Sequence, residues 1–201
     1  MRKMLVDIPT DFETERLRLR SYQPGDGRWY YSMSLRNRDH LARYEADNPA
    51  RGLASEDHAE ALVRSFAADW QARSSFFLAA FEKTTGDFVG QVYIGPVNWD
   101  LPEFAVGYFA DEAHTGRGYI TEAVRGALGF IFHHLGAWRV RLDCDDTNAP
   151  SLRVAEHAGF VKEGHLRQNK LNPDGTLSGT LLYGLLRDEY AEAGQEAEVK
   201  G

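Results

Sequence analysis

The string HTGRGYITEA, His114 to Ala123, sets Gly116 and Gly118 on either side of Arg117, where a strand-like apolar run gives way to a helix-like one. Ile120, Ala123, Val124, Ala127, Leu128 and Ile131 recur at the i, i+3, i+4 spacing of one helix face, so the helix begins close to Gly118. Its first N–H groups without an intrahelical acceptor then belong to Gly116, Arg117, Gly118, Tyr119, Ile120 and Thr121. Glycine at 116 and 118 allows a sharp turn and a close ligand approach, with no Cβ in the way. The helix N-terminus and Arg117 both favour an anion such as a phosphate. The same residues also suit a plain tight turn ahead of a helix.

Other patterns narrow the chemistry. A P-loop needs G-x-x-x-x-G-K-[ST], which the chain lacks. A dinucleotide site needs a third glycine where Thr121 stands, although Asp143 ends a later strand as a ribose-binding acid would. In NAPSLR, Asn148 can cap the following helix, with Ser151 in its first turn and Arg153 beyond. DCDDTN clusters acids, but Asn148 stands where a calcium loop needs glycine, so a solvated loop is expected and no metal site. Cys144 is the single cysteine, which excludes an internal disulfide and a thiolate metal site; it reads as a small strand residue.

These groups need elements to hold them. ETERLRLRSY alternates Leu17 and Leu19 with Arg16, Arg18 and Arg20, a strand with one dry face. PGDGRWYYSMSLRN and SEDHAEALVRSFAADWQARS read as helices, the second capped by Ser55 with Ala59, Leu62, Val63, Phe66 and Trp70 on one face. SFFLAAFEK, the turn TTGD and FVGQVYIGPV make a hairpin, and EFAVGYFA is a further strand. Then follow the helix YITEAVRGALGFIF, the strand WRVRLDC, the helix APSLRVAEHA, the strand FVKEGHL, the loop NPDGTLSG and the strand TLLYGLL. The expected fold is α+β (mixed α/β) on one sheet, its antiparallel first half leading into a crossover second half. A single domain over 1–190 is expected, with 191–201 a frayed tail. With 30 acids against 23 bases, the net charge of -7 disfavours a nucleic-acid partner. No apolar run reaches the ~20 residues of a membrane span and MRKMLVDIPTDF lacks a signal-peptide core, so a cytoplasmic protein without membrane contact is expected.

Taken in order, TERLRLR, GYFADEAHTGRGYITEAV, NAPSLRVAEHAGFVKEG and YGLLRDEY resemble the GNAT superfamily of N-acetyltransferases, in the branch of the ribosomal-protein N-terminal acetyltransferases. The resemblance implies a mostly antiparallel central sheet, flanked by helices and splayed between strands four (EFAVGYFA) and five (WRVRLDC). It implies acetyl-CoA as co-substrate, its pyrophosphate in a loop written [RQ]-x-x-G-x-[GA] and matched onto Thr115 to Ile120. Thr115 and Ile120 depart from that pattern. Pantetheine would pair with the backbone of Tyr108, Phe109 and Ala110. Asn148 would hold the pantetheine arm, Ser151 would protonate the departing thiolate, and Arg153 would lie near the CoA phosphates. Glu163 would be the general base, with Glu103 or water as alternatives, because an ammonium must lose a proton before its nitrogen can attack a thioester. The implied activity is direct acetyl transfer, in a ternary complex, to a primary amine: a protein N-terminus or a small amine. A homodimer is implied too. The departures at 115 and 120 leave a second reading open, a regulatory module that binds acyl-CoA without turnover.

Overall fold

The computed structural model describes residues 3–172 and 174–191. Its elements are β1 (Asp11–Glu13), β2 (Leu17–Ser21), α1 (Gly27–Asn37), α2 (Glu56–Ala72), β3 (Phe76–Glu82), β4 (Phe88–Asn98), β5 (Glu103–Ala110), α3 (Tyr119–His133), β6 (Arg139–Asp145), α4 (Ala149–His157), β7 (Val161–Leu171) and β8 (Leu177–Leu186). Of the tail expected over 191–201, residues 192–201 lie outside the described ones. No helix among the described residues is long and apolar enough to cross a membrane.

The eight strands form one sheet in the order β1-β2-β3-β4-β5-β6-β8-β7. Among the described residues only β5 and β6 run parallel, since α3 carries the chain across between them. The alternation in β2 does what its pattern predicts: Leu17 and Leu19 are buried while Arg18 is exposed. Ser55 caps α2 by accepting from the His58 N–H at 3.1 Å, and Ala59, Val63, Phe66 and Trp70 are buried along it. All six residues of the predicted α3 stripe are buried. Around α3 they join Leu17, Val92, Phe104 and Leu142 in one core cluster. A second cluster, built from Tyr22, Tyr30, Met33, Val63, Phe66, Phe88 and Phe109, packs α1 and α2 on the sheet.

Two expectations need correction. A short strand, β1, precedes the first one anticipated; its three residues are too few to show an alternation and are placed by pairing with Arg18, Leu19 and Arg20. The splay expected between strands four and five therefore falls between β5 and β6. The last hairpin is also longer than its apolar pattern suggested. β7 runs on to Leu171 through the polar RQNKL, and β8 starts at Leu177, because backbone pairing between Leu171 and Leu177 extends the ladder without needing a dry face.

The splay is direct. β5 and β6 pair at Glu103 with Arg139, Phe104 with Val140 and Ala105 with Arg141, and at no residue beyond. Among the described residues, the edge of β5 that faces β6 has no strand partner from Val106 to Ala110, although its other edge stays paired to β4 up to Gly90.

Candidate active site

At the open end of this V, β5, β6 and α4 bring three side chains together. The Tyr108 hydroxyl lies 3.1 Å from the Ser151 carbonyl oxygen, to which it donates, and 3.0 Å from Ser151 Oγ. Burial raises the phenol's pKa, so it stays protonated at neutral pH. Cys144 is buried beside them; its thiol is pushed up to about 11 by burial and by Asp143 and Asp145, and is therefore no thiolate nucleophile. Asn148 caps α4, its Oδ1 accepting from the Ser151 N–H at 3.3 Å, which fixes Ser151 in the first turn. Arg153, two residues further along α4, is exposed.

The glycine loop sits at the end of the same V, after β5. Gly116 has φ +73° and Gly118 φ +77°, both in the left-handed region, and Gly118 is the N-cap of α3. A Cβ at Gly116 would meet nothing within 4 Å and one at Gly118 only Arg16, at 3.5 Å, so conformation rather than crowding requires glycine. Among the described residues, no N–H from Gly116 to Thr121 donates to a protein acceptor, while the Glu122 N–H closes the first turn on the Gly118 carbonyl. Thr115 and Ile120 have ordinary roles here: Thr115 is extended, and the Ile120 side chain is buried in the core. The two left-handed glycines thus supply the G-x-[GA] of the acetyl-CoA loop pattern. In that register the leading Arg or Gln falls on Ala113, so the departure from the pattern lies at 113 rather than at Thr115 and Ile120.

A clamp that the sequence did not announce holds this loop. Glu122 accepts from the Thr14 hydroxyl at 2.6 Å, from the Arg16 N–H at 2.7 Å and from Arg16 Nε at 2.6 Å. The same guanidinium donates to the Arg117 carbonyl at 3.1 Å and lies 4.7 Å from the centre of the Tyr119 ring. Arg117 itself is exposed.

A cavity of about 260 Å³ opens where Ser151 and Cys144 meet the segment that follows α1; Tyr44, Glu45, Asp143, Asp145 and Lys170 also line it. Asp145 is buried, and against the burial that favours its neutral form, hydrogen bonds from Ser178, Thr147 and Lys170 hold its pKa at about 2. Lys170 is thereby committed to Asp145, at 3.1 Å. Glu45 is half-buried and makes no ion pair among the described residues. Among the described residues its carboxylate accepts a single hydrogen bond, a long one of 3.4 Å from Asn48, and burial raises its pKa.

Glu163 is elsewhere. Both of its oxygens accept from Arg139, one at 2.6 Å, and that guanidinium holds the carboxyl below its ordinary pKa. Glu103 meets the same guanidinium at 3.3 Å. Arg139 lies at the closed end of the V, five residues along β6 from Cys144, or about 17 Å at a strand's rise. The structure therefore does not bring Glu163 or Glu103 to Ser151. His165 bonds Asp146 at 2.8 Å beside a separate open depression.

Comparison with known proteins agrees with this geometry. Residues 16–161 match the family model described as an acetyltransferase (GNAT) domain. A probable N-acetyltransferase, YjcK of Bacillus subtilis, is 47% identical over 68 residues; that stretch is 33% of this chain and 38% of the relative, well under half of either. A spermidine N(1)-acetyltransferase of Vibrio cholerae is 25% identical over 150 residues, 75% of this chain and 82% of the relative. The crystal structure of the ribosomal-protein-S5-alanine acetyltransferase from Vibrio fischeri shares the fold with a TM-score of 0.78 at 20% identity, over 90% of this chain and 99% of that one.

Proposed function

The chain belongs to the GNAT acetyltransferase family, and from that premise we propose that it moves the acetyl group of acetyl-CoA to a primary amine by direct attack in a ternary complex. One observation carries the reading: the bare edge of β5 leads from Ser151 at one end to the unsatisfied amides of Gly116 to Thr121 at the other. That is the shape of a thioester with a pyrophosphate tail. Pantetheine adds to β5 along Tyr108, Phe109 and Ala110 as an extra strand would. The amides from Gly116 to Thr121 take the pyrophosphate, with Arg117 and Arg153 as exposed cations for the remaining phosphate charge. Asn148 keeps Ser151 in place, and Ser151 protonates the departing thiolate. Tyr108 replenishes it, a neutral phenol within hydrogen-bond reach.

Positioning supplies most of the catalysis in this scheme, because a bound thioester and a bound amine react as one molecule. The acceptor is a small amine or a protein N-terminus; among the relatives, one is named for spermidine and another for an alanine of a ribosomal protein. Residues 1–190 act as one catalytic domain in the cytoplasm. The exposed Leu166, Leu171 and Leu177 along the β7–β8 hairpin support a homodimer. Light scattering at micromolar concentration tests the last point: twice the 22.6 kDa of one chain is expected, and 22.6 kDa contradicts it.

The test of function is CoA thiol release from acetyl-CoA against a panel of amines that includes spermidine and peptides with free N-termini. Release that depends on the amine is expected. Acetyl-CoA binding without release to any acceptor would favour the regulatory module instead.

A further inference from the structure

The reaction needs a proton acceptor, and the carboxylate that a motif match offers is neither near the site nor free. We propose that Glu45 is the general base: it lines the same cavity as Ser151 and would take the proton of an amine bound there. The proposal rests on the transferase reading above.

Three observations support it. The first is position. Glu45 comes from the segment between α1 and α2 and lines one cavity with Cys144 of β6 and Ser151 of α4, so an amine bound in that cavity meets the carboxylate and the proposed thioester site together. The second is that the carboxylate is uncommitted. Every other acid close to the reaction path is exposed or engaged: Asp143 is exposed on β6, Asp145 is tied up by Ser178, Thr147 and Lys170, and Glu103 and Glu163 are both drawn to Arg139. Glu45 keeps its oxygens for a ligand apart from the long bond from Asn48. The third is basicity. Burial raises the proton affinity of Glu45, whereas Arg139 lowers that of Glu163, and a better proton acceptor makes a better base.

The step balances as follows. A Glu45 carboxylate oxygen takes one proton from the ammonium. The freed nitrogen lone pair forms the C–N bond at the thioester carbonyl, and the C–S bond breaks as the carbonyl re-forms. The sulfur takes its proton from Ser151, and the second proton of the nitrogen restores the hydroxyl chain of Ser151 and Tyr108. Glu45 then gives its proton to solvent as the acetylated amine leaves.

Other groups around Glu45 will shape its titration and belong in any pH analysis: Tyr44 on its own segment, Tyr108 on β5, Asp143, Cys144 and Asp145 on β6, and Lys170 on β7. The hydrogen bond from Asn48 and the charge of Lys170 favour the ionised form, against the burial that disfavours it. A protonated Glu45 cannot serve, so activity is lost as pH falls through its pKa.

The isosteric Glu45→Gln variant separates binding from chemistry. With acetyl-CoA and spermidine, or a peptide with a free N-terminus if that is the better acceptor, kcat is expected to fall by about 10²-fold, the scale of a lost positioned base. The calorimetric Kd for acetyl-CoA should stay as in the wild type, and the acidic limb of the kcat/KM profile should disappear. Glu163→Gln should keep most of the turnover. If Glu45→Gln turns over like the wild type, or keeps the acidic limb, the proposal fails while the transferase reading stands. If the wild-type protein binds acetyl-CoA but releases no CoA with either amine, the transferase reading fails and takes the proposal with it.

Discussion

Replacing Gly118 by valine tests the phosphate cradle, and the structure provides its own control. Gly118 holds φ at +77°, where a β-branched side chain strains the backbone by about 1–2 kcal/mol. No steric clash adds to this, since the nearest atom to a new Cβ is an Arg16 nitrogen at 3.5 Å. The chain can relieve the strain only by leaving the left-handed region, which turns the amides of Gly118 and Tyr119 away from their common target. Losing about 1.4 kcal/mol of a pyrophosphate interaction raises Kd tenfold. Gly86, in the turn between β3 and β4, has φ +76° and likewise nothing within 4 Å of a new Cβ. Gly86→Val should therefore lower thermal stability about as much as Gly118→Val does, with no effect on the ligand. Calorimetry with acetyl-CoA should show Kd at least about tenfold higher for Gly118→Val and unchanged for Gly86→Val. Equal affinities in two folded variants, or equal losses in both, would refute the cradle.

Three further outcomes are expected. Tyr108→Phe should lower kcat by about tenfold with little change in acetyl-CoA affinity, because it removes one hydrogen bond of about 1.4 kcal/mol from the proton donor; steady-state kinetics beside calorimetry check this, and unchanged turnover contradicts it. Arg16→Met should raise the acetyl-CoA Kd several-fold and lower the melting temperature, since Arg16 ties the loop carbonyl at Arg117 to Glu122 and covers Tyr119; a variant that melts lower but binds as before limits the clamp to stability. Asp145→Asn probes the pH dependence of folding. The folded pKa of Asp145 is depressed from 3.8 to about 2, so its contribution is present above the unfolded value and is lost as pH falls through the folded one. Urea titrations should find the wild type's advantage over Asp145→Asn constant above about pH 5 and shrinking between about pH 4 and pH 2.

What was legible in the sequence was what periodicity or a local signal records. Leu17 and Leu19 announced β2, the apolar stripe of α3 fixed the position of Gly118, and Ser55 marked the start of α2, because in each case one element's own geometry selects the residues. The glycine loop was legible for the same reason, as two left-handed positions leave few choices besides glycine. The partners of side chains were not. Glu122 reads as an ordinary helix acid until Arg16, 106 residues earlier, folds onto it. Glu163 sits in a string that matches a family motif, yet its role is decided by Arg139 on a strand that is not its neighbour in the sheet. Glu45 lies in YEADNP, with no strand or helix period to give its direction, and only the packing of that segment brings it into the lining of the cavity that Ser151 shares. Tyr108 was expected to matter for its backbone; its hydroxyl was invisible because the partner, Ser151, is 43 residues away.

The central claim is that this fold carries an acetyl group from a thioester to an amine. The most direct measurement incubates the protein with acetyl-CoA labelled in its acetyl group, together with spermidine and a set of peptides with free N-termini, and follows every species by mass spectrometry. The account predicts that label appears in amide linkage on one class of amine, with one CoA thiol released for each acetyl group transferred. Label that stays on CoA, or leaves it only as acetate, in the presence of a folded protein that binds the thioester would contradict it.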